Sequence, residues 1–185
     1  MAPRAAHRRR KVQLRRATVG DVDLLVAHRL AMFREIGGRP ERVLARHGRP
    51  YLTWLVPRLT SAEVVAWVAE DTEGRPVGSG GVWFQPSHPR PGTLALRTPY
   101  VLSMYTVPAA RGRGIATAVV RAAVALSRKL GHGRVVLHAS AMGRPVYERL
   151  GFRPTREMRL FLDPADRRRD DRNRAAEAAR GGGRP

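Results

Sequence analysis

The sequence predicts one α+β domain: a mixed, mostly antiparallel central sheet with flanking helices and one parallel strand pair. Three observations predict it. First, "EVVAWVAED" (63–71) and "VGSGGVWF" (77–84) flank the turn "TEGRP" and are rich in residues that favour strands, which reads as a β-hairpin. Second, apolar residues recur at helical spacing over 22–36 and again from Ile115 to Leu130. Third, the apolar runs "YVLSMYTV" (100–107) and "RVVLHAS" (134–140) are joined through that second helix. Two strands joined this way pair in parallel across a right-handed crossover.

The remaining elements follow in order. "VQLRRAT" (12–18) alternates apolar and polar residues as a first strand. Thr18 with Asp21 three residues on has the pattern of a capping box. Val22, Leu25, Arg29, Met32, Phe33 and Ile36 then trace one helical stripe, which Gly37 and Gly38 stop. Residues 41–59 read as a second, less regular helix. "QPSHPRPGTLALRTP" carries four prolines and is largely loop. "RPVYERL" (144–150) is a short helix with proline in its first turn, and Gly151 stands where a left-handed cap is expected. "EMRLFL" (157–162) is a final strand. These elements place a domain over 12–163, between a basic disordered tail (1–11) and a charged flexible tail (164–185).

Composition excludes several classes of function. The chain of 185 residues has no cysteine, so disulfides, thiolate metal sites and an acyl-cysteine intermediate are all ruled out. No metal site is expected. No apolar run approaches the ~18 residues of a membrane span, and the basic N-terminus lacks the apolar core of a secretory signal. The expected setting is cytoplasmic. The net charge is +20, of which the tails carry +5 and +3, and 33 of the 35 basic residues are arginine. A GC-rich genome spells basic residues this way. The same surface would also suit a nucleic-acid partner.

The sharpest local signal is "VPAARGRGIATAVV" (107–120), where glycines and arginines mark a strand-to-helix junction. The first N–H groups of a helix have no intrahelical partner and lie at the positive end of its dipole. Gly112 and Gly114 let an anion approach that backbone, and Arg111 and Arg113 flank it. A Walker loop needs Lys-Ser/Thr after its last glycine, but Ile115 and Ala116 stand there. A dinucleotide fingerprint needs a third glycine near 117 and an acid about 20 residues on, and neither is present.

Arg111-x-x-Gly114-x-Ala116 after a strand resembles the acyl-CoA-binding motif of the GCN5-related N-acetyltransferase (GNAT) family. "YERLGF" (147–152) resembles that family's second signature, and the two motifs stand in the family's order. The resemblance spans about 12–163. It implies that the parallel strand pair is splayed, and that acetyl-CoA is the co-substrate. Its pyrophosphate would be held by the backbone of Gly112, Arg113, Gly114, Ile115 and Ala116 beside Arg111. Its pantetheine arm would pair with Thr106 and Val107, near Ser140 and Tyr147. An N–H near Val107 would serve as the oxyanion donor. The family often has Asn where Ser140 stands and Ala where Gly143 stands.

The implied reaction moves an acetyl group to a primary amine, of a small molecule or a protein, by direct transfer in a ternary complex. Tyr147 is the expected acid for the departing thiolate. The strand "YVLSMYTV" has no carboxylate, which leaves Glu35, His138 and Tyr105 as candidates for the base. Two alternatives remain open: acetylation of aminoacyl-tRNA by a toxin-like relative, and a non-catalytic acyl-CoA or nucleic-acid-binding module. Monomer and homodimer are equally compatible with the sequence.

Overall fold

The computed structural model describes residues 12–37, 39–89, 91 and 94–181. The basic N-terminal segment 1–11 lies outside the described residues. In order, the elements are β1 (Gln13–Arg16), α1 (Val22–Ile36), α2 (Glu41–Thr60), β2 (Val64–Glu70), β3 (Pro76–Pro86), β4 (Arg97–Thr106), α3 (Ile115–Lys129), α4 (Arg144–Arg149) and α5 (Pro164–Gly181). The four strands form one sheet in the order β1-β2-β3-β4, with every neighbouring pair antiparallel.

β2 reads as an unbroken apolar run because helices cover both of its faces. Val65 and Trp67 turn to α3 and join Val82, Val101, Val119, Val120 and Ala123 in one buried cluster. Val64, Ala66 and Val68 turn the other way and pack with Leu25, Tyr51 and Leu55 of α1 and α2. The hairpin closes at Asp71, whose Oδ1 accepts from the N–H groups of Glu73 and Arg75 at 2.9 and 3.0 Å. At the start of α1 the Asp21 carboxylate accepts from the Thr18 N–H at 2.8 Å, as the capping pattern predicts. α2 runs without a break through Pro50 and Pro57, each of which lacks the N–H of an ordinary helical residue. Among the described residues no helix is long and apolar enough to cross a membrane.

β3 carries three glycines, and all three make room for neighbours, Gly81 for the Val65 carbonyl at 2.9 Å. A side chain begun at Gly78 would sit 2.8 Å from Ile115 Cγ2 and 2.9 Å from the Tyr105 carbonyl, and one at Gly80 would strike Met104. The N-terminus of α3 therefore lies directly over the sheet.

Two expected strands are not formed. Residues 134–140 meet β4 at a single parallel bridge, Tyr100 opposite Val136. Two hydrogen bonds make it: Val101 N–H to the Val136 carbonyl and Val136 N–H to the Pro99 carbonyl, each 2.9 Å. No parallel ladder extends beyond that bridge. Residues 157–162 then have no adjacent ladder to join, and Met158, Leu160 and Leu162 stand 94, 86 and 89% exposed. Residues 164–181, left without structure in the sequence reading, are helical.

β4 is itself irregular. Its register against β3 shifts by one residue, from Gly81 opposite Leu102 to Ser79 opposite Tyr105. The extra residue falls at a β-bulge, where Ser103 has φ of 53°. A non-glycine residue is strained there, and two hydrogen bonds hold it: Arg29 Nη1 donates to Ser103 Oγ at 2.7 Å, and the Tyr51 hydroxyl lies 3.1 Å from the same oxygen. Removing the hydroxyl in Ser103→Ala strands both partners and should cost about 1–3 kcal/mol in urea unfolding. Ser103→Gly loses the same bonds but relieves the backbone, so it should be milder than Ser103→Ala by ~1 kcal/mol. Equal losses would mean that the bulge carries no strain.

Candidate active site

One open cleft collects most of the residues singled out from the sequence. Glu35, Thr106, Arg111, Gly112, Gly114, Ile115, Ala116, His138, Ser140 and Tyr147 all line it. Val107 and Arg113 are not among its lining residues. β4 forms one wall, residues 138–147 the other, and α1 with α2 close one end.

The glycine turn behaves as its sequence requires. Gly112 and Gly114 have φ of 74° and 82°, and Gly114 is the left-handed residue that opens α3. Apart from the adjoining backbone, no atom lies within 4 Å of where a side chain at either glycine would begin. Open space beside the exposed N-terminus of a 15-residue helix fits an incoming phosphate. The Arg111 side chain does not point into that space. It ion-pairs with Glu35 and donates from Nε to the Thr106 carbonyl at 3.1 Å. Glu35 also accepts from the Tyr105 hydroxyl at 3.1 Å.

The expected oxyanion donor near Val107 meets a competing bond. Val107 N–H donates to the Val77 carbonyl at 3.0 Å, and the Val107 carbonyl accepts from Ala110 at 2.9 Å. Both polar groups of Val107 are thus engaged within the fold, because the chain turns into a short 3₁₀ segment at Pro108–Ala110.

Tyr147 is placed by the turn that follows it. Gly151 has φ of 88°; its N–H bonds to the Glu148 carbonyl at 2.9 Å, and the Phe152 N–H bonds to the Tyr147 carbonyl at 3.0 Å. This is a Schellman cap, and the apolar contact that accompanies such caps is Phe152 against Tyr147, edge to face at 5.9 Å. The spacing of "YERLGF" follows from that geometry. Burial, with Tyr100 close by, pushes the Tyr147 phenol up to about 12, so it holds its proton. Gly143 faces the same ring, and a side chain begun there would sit 3.0 Å from Tyr147 Cε2. Ser140 shapes the approach to α4: its Oγ and its carbonyl accept from Gly143 N–H at 3.2 and 3.0 Å.

His138 has both ring nitrogens engaged. Nδ1 lies 2.6 Å from the Tyr100 hydroxyl and Nε2 lies 3.0 Å from Glu157. A carboxylate only accepts, so Nε2 carries the hydrogen and Nδ1 receives the one from Tyr100. Beside His138, Glu157 is held below the usual carboxylate range, first by that ring and then by Arg159. Burial raises the Tyr100 phenol.

Several residues of the site were not singled out as functional from the sequence. Tyr100 lay within an apolar run, Ser103 gave no sign of its bulge, and Glu157 was assigned to a strand. Arg29 did leave a signal, as an arginine within the apolar stripe of α1. Among the described residues, no group of three or more His, Asp or Glu side chains is placed to hold a metal ion.

Comparison with known proteins agrees with this geometry. The model of the acetyltransferase (GNAT) family matches residues 30–152. A GCN5-related N-acetyltransferase from Ralstonia eutropha JMP134 superposes with a TM-score of 0.76 at 36% identity, covering 82% of this chain and 99% of that one. A predicted acetyltransferase from Clostridium acetobutylicum, solved with acetyl-CoA, superposes with a TM-score of 0.71 at 28% identity, covering 83% and 96%. A glucosamine 6-phosphate N-acetyltransferase from Trypanosoma brucei brucei is 36% identical over 90 residues, 48% of this chain and 59% of that protein's length. With the family model spanning most of the chain and a near-complete structural match at this identity, the protein belongs to the GNAT family and is an acyltransferase.

Proposed function

We propose that the protein transfers an acetyl group from acetyl-CoA to a primary amine, directly, with both substrates bound together. The observation that carries this reading is the meeting, in one cleft, of an open helix N-terminus headed by Gly114 and the protonated Tyr147. Backbone N–H groups at the start of α3 hold the pyrophosphate, and Gly112 and Gly114 leave it room. Arg111 turns toward the phosphates when they arrive and gives up Glu35, its present partner.

The acid and the base come from facing walls of the cleft, Tyr147 from α4 and Tyr100 from β4. Tyr147 gives its phenolic proton to the departing thiolate, and its raised pKa keeps that proton in place until the carbon–sulfur bond breaks. The proton lost by the attacking amine passes to the Tyr100 oxygen as Tyr100 hands its own to His138 Nδ1. Glu157 at the far nitrogen steadies the imidazolium so formed. Glu35, tied to Arg111 and Tyr105, positions the cofactor end of the cleft and does not serve as the base. The lack of cysteine supports direct transfer, since no thiol is available to carry the acetyl group.

Acetyl-CoA titrated calorimetrically at low and moderate salt should bind at one site. Gly114→Val, which places a branched side chain at φ of 82°, should weaken that binding by about tenfold or more. Salt-abolished binding, or binding indifferent to Gly114→Val, would count against the assigned loop. With an amine substrate in hand, double-reciprocal plots should intersect. Parallel lines would indicate an acylated enzyme instead. Tyr147→Phe should lower kcat by ~10² or more. Because Tyr147 titrates near 12, wild-type kcat should show no alkaline fall from loss of this acid through pH ~10, where an ordinary tyrosine is half ionised.

A further inference from the structure

The α1–α2 end of the cleft holds positive charge that the protein does not neutralise. Arg159 pairs with Glu157, Arg169 with Asp166 and Arg174 with Asp170. Arg29 has no carboxylate within ion-pair reach among the described residues. Its Nε donates to His47 Nε2 at 3.3 Å and its Nη1 to Ser103 Oγ at 2.7 Å, both neutral acceptors. Its guanidinium lies over two aromatic rings, 4.3 Å from the centroid of Tyr51 and 4.8 Å from that of Phe33. Arg39 approaches the same Phe33 ring at 5.3 Å, and among the described residues no carboxylate lies within ion-pair reach of it either. Burial lowers the pKa of both guanidiniums; Tyr51 and Tyr100 offset part of this at Arg29 and Arg39 adds to it, while at Arg39 the effect of Arg169 is opposed by Asp166.

Two arginines gathered on one aromatic ring, with the buried one lacking a counter-ion, are costly in the free protein. An arriving anion removes the cost. Its oxygens would meet a guanidinium already oriented by Ser103 and the aromatic rings, so little side-chain freedom remains to be lost. The place also suits an acceptor better than a cofactor. Ser103, which Arg29 holds, lies three residues before Thr106 on β4, about 10 Å at strand rise from the end of the strand that meets the glycine turn.

We infer that Arg29, assisted by Arg39, is the anion-binding subsite of the acceptor pocket, so that the amine is carried on a molecule bearing a phosphate or carboxylate group. The inference rests on the acetyl-transfer reading only for the amine. The anion subsite stands on the buried, uncompensated Arg29 itself.

The test has two arms. In the first, thiol release from acetyl-CoA is followed with matched amines: ethanolamine, β-alanine and O-phosphoethanolamine, then glucosamine and glucosamine 6-phosphate. Anionic members should exceed their neutral partners in kcat/KM by about tenfold or more, and the ranking of β-alanine against O-phosphoethanolamine tells carboxylate from phosphate. In Arg29→Gln that ratio should collapse toward one. The second arm titrates O-phosphoethanolamine and inorganic phosphate against tryptophan emission, since Trp54 stacks on Tyr51 at 5.6 Å. Saturable quenching should weaken about tenfold in Arg29→Gln and, should that variant fold poorly, measurably in the surface variant Arg39→Gln.

Turnover of neutral amines with no anionic preference would sink the inference and leave acetyl transfer standing. Saturable phosphate binding that depends on Arg29 in a protein that acetylates no amine would do the reverse. Loss of acetyl-CoA affinity in Arg29→Gln equal to the loss of phosphate binding would assign the arginine to the cofactor and overturn the inference. So would wild-type fluorescence unmoved by phosphate.

Discussion

The rest of the site depends on one strained residue. Ser103 adopts a backbone angle that L-residues avoid, inserts an extra residue into β4 and shifts its register against β3. Without that bulge, Met104, Tyr105 and Thr106 would exchange faces of the sheet, because side chains alternate along a strand. The bulge is held from the opposite layer: Arg29 of α1 and Tyr51 of α2 both reach its hydroxyl. The α1–α2 layer and the cleft wall of β4 are therefore coupled through the Ser103 hydroxyl, besides the bond from Tyr105 to Glu35. Whatever orients Arg29 also bears on the strand beside which the acyl group would lie.

Each reactive group stands on a backbone device that places it. Tyr147 is set by a helix cap whose left-handed glycine and apolar contact bring Phe152 against its ring. The free N–H groups proposed to hold the pyrophosphate are set by Gly114, whose positive φ starts α3 abruptly, and by Gly78, which lets Ile115 rest against β3. The chain Tyr100–His138–Glu157 spans β4 and the segments after α3, so its geometry depends on the one parallel bridge at Tyr100 and Val136. A bridge of two hydrogen bonds leaves the chain free to diverge beyond it, and the cleft lies between β4 and residues 138–143.

Electrostatics divide the cleft into regions of different character. Eight arginines and two carboxylates line it, and four of those arginines are answered by neighbouring carboxylates: Arg111 by Glu35, Arg159 by Glu157, Arg169 by Asp166 and Arg174 by Asp170. What distinguishes Arg29 is the company it keeps. Aromatic rings, a histidine held neutral first by burial and then by Arg29 and Arg39, and a serine hydroxyl surround it, and none carries negative charge. A net charge of +20 says nothing about such a distinction, since it counts paired and unpaired arginines alike.

Much of the protein was legible in its amino-acid order, and for local reasons. The hairpin 63–84 announced itself by β-branched runs around a turn. The helix after Gly114 showed its apolar period, and the glycine turn and "YERLGF" were readable because turns and caps are decided by residues a few positions apart. Non-local pairing was not legible. "RVVLHAS" and "EMRLFL" have the composition of strands, but a strand exists only where a partner edge offers a continuous ladder, and beyond Val136 none does. The bulge at Ser103 left no trace in "YVLSMYTV", since its anchors lie 52 and 74 residues away. Nor does any spacing along the chain reveal that Arg29 lacks a counter-ion. The sequence alone determined the family's two motifs and the layered α+β plan. Tertiary packing decided which charges are paired and which strands form, because both depend on atoms brought together only when the sheet and its two helical layers close.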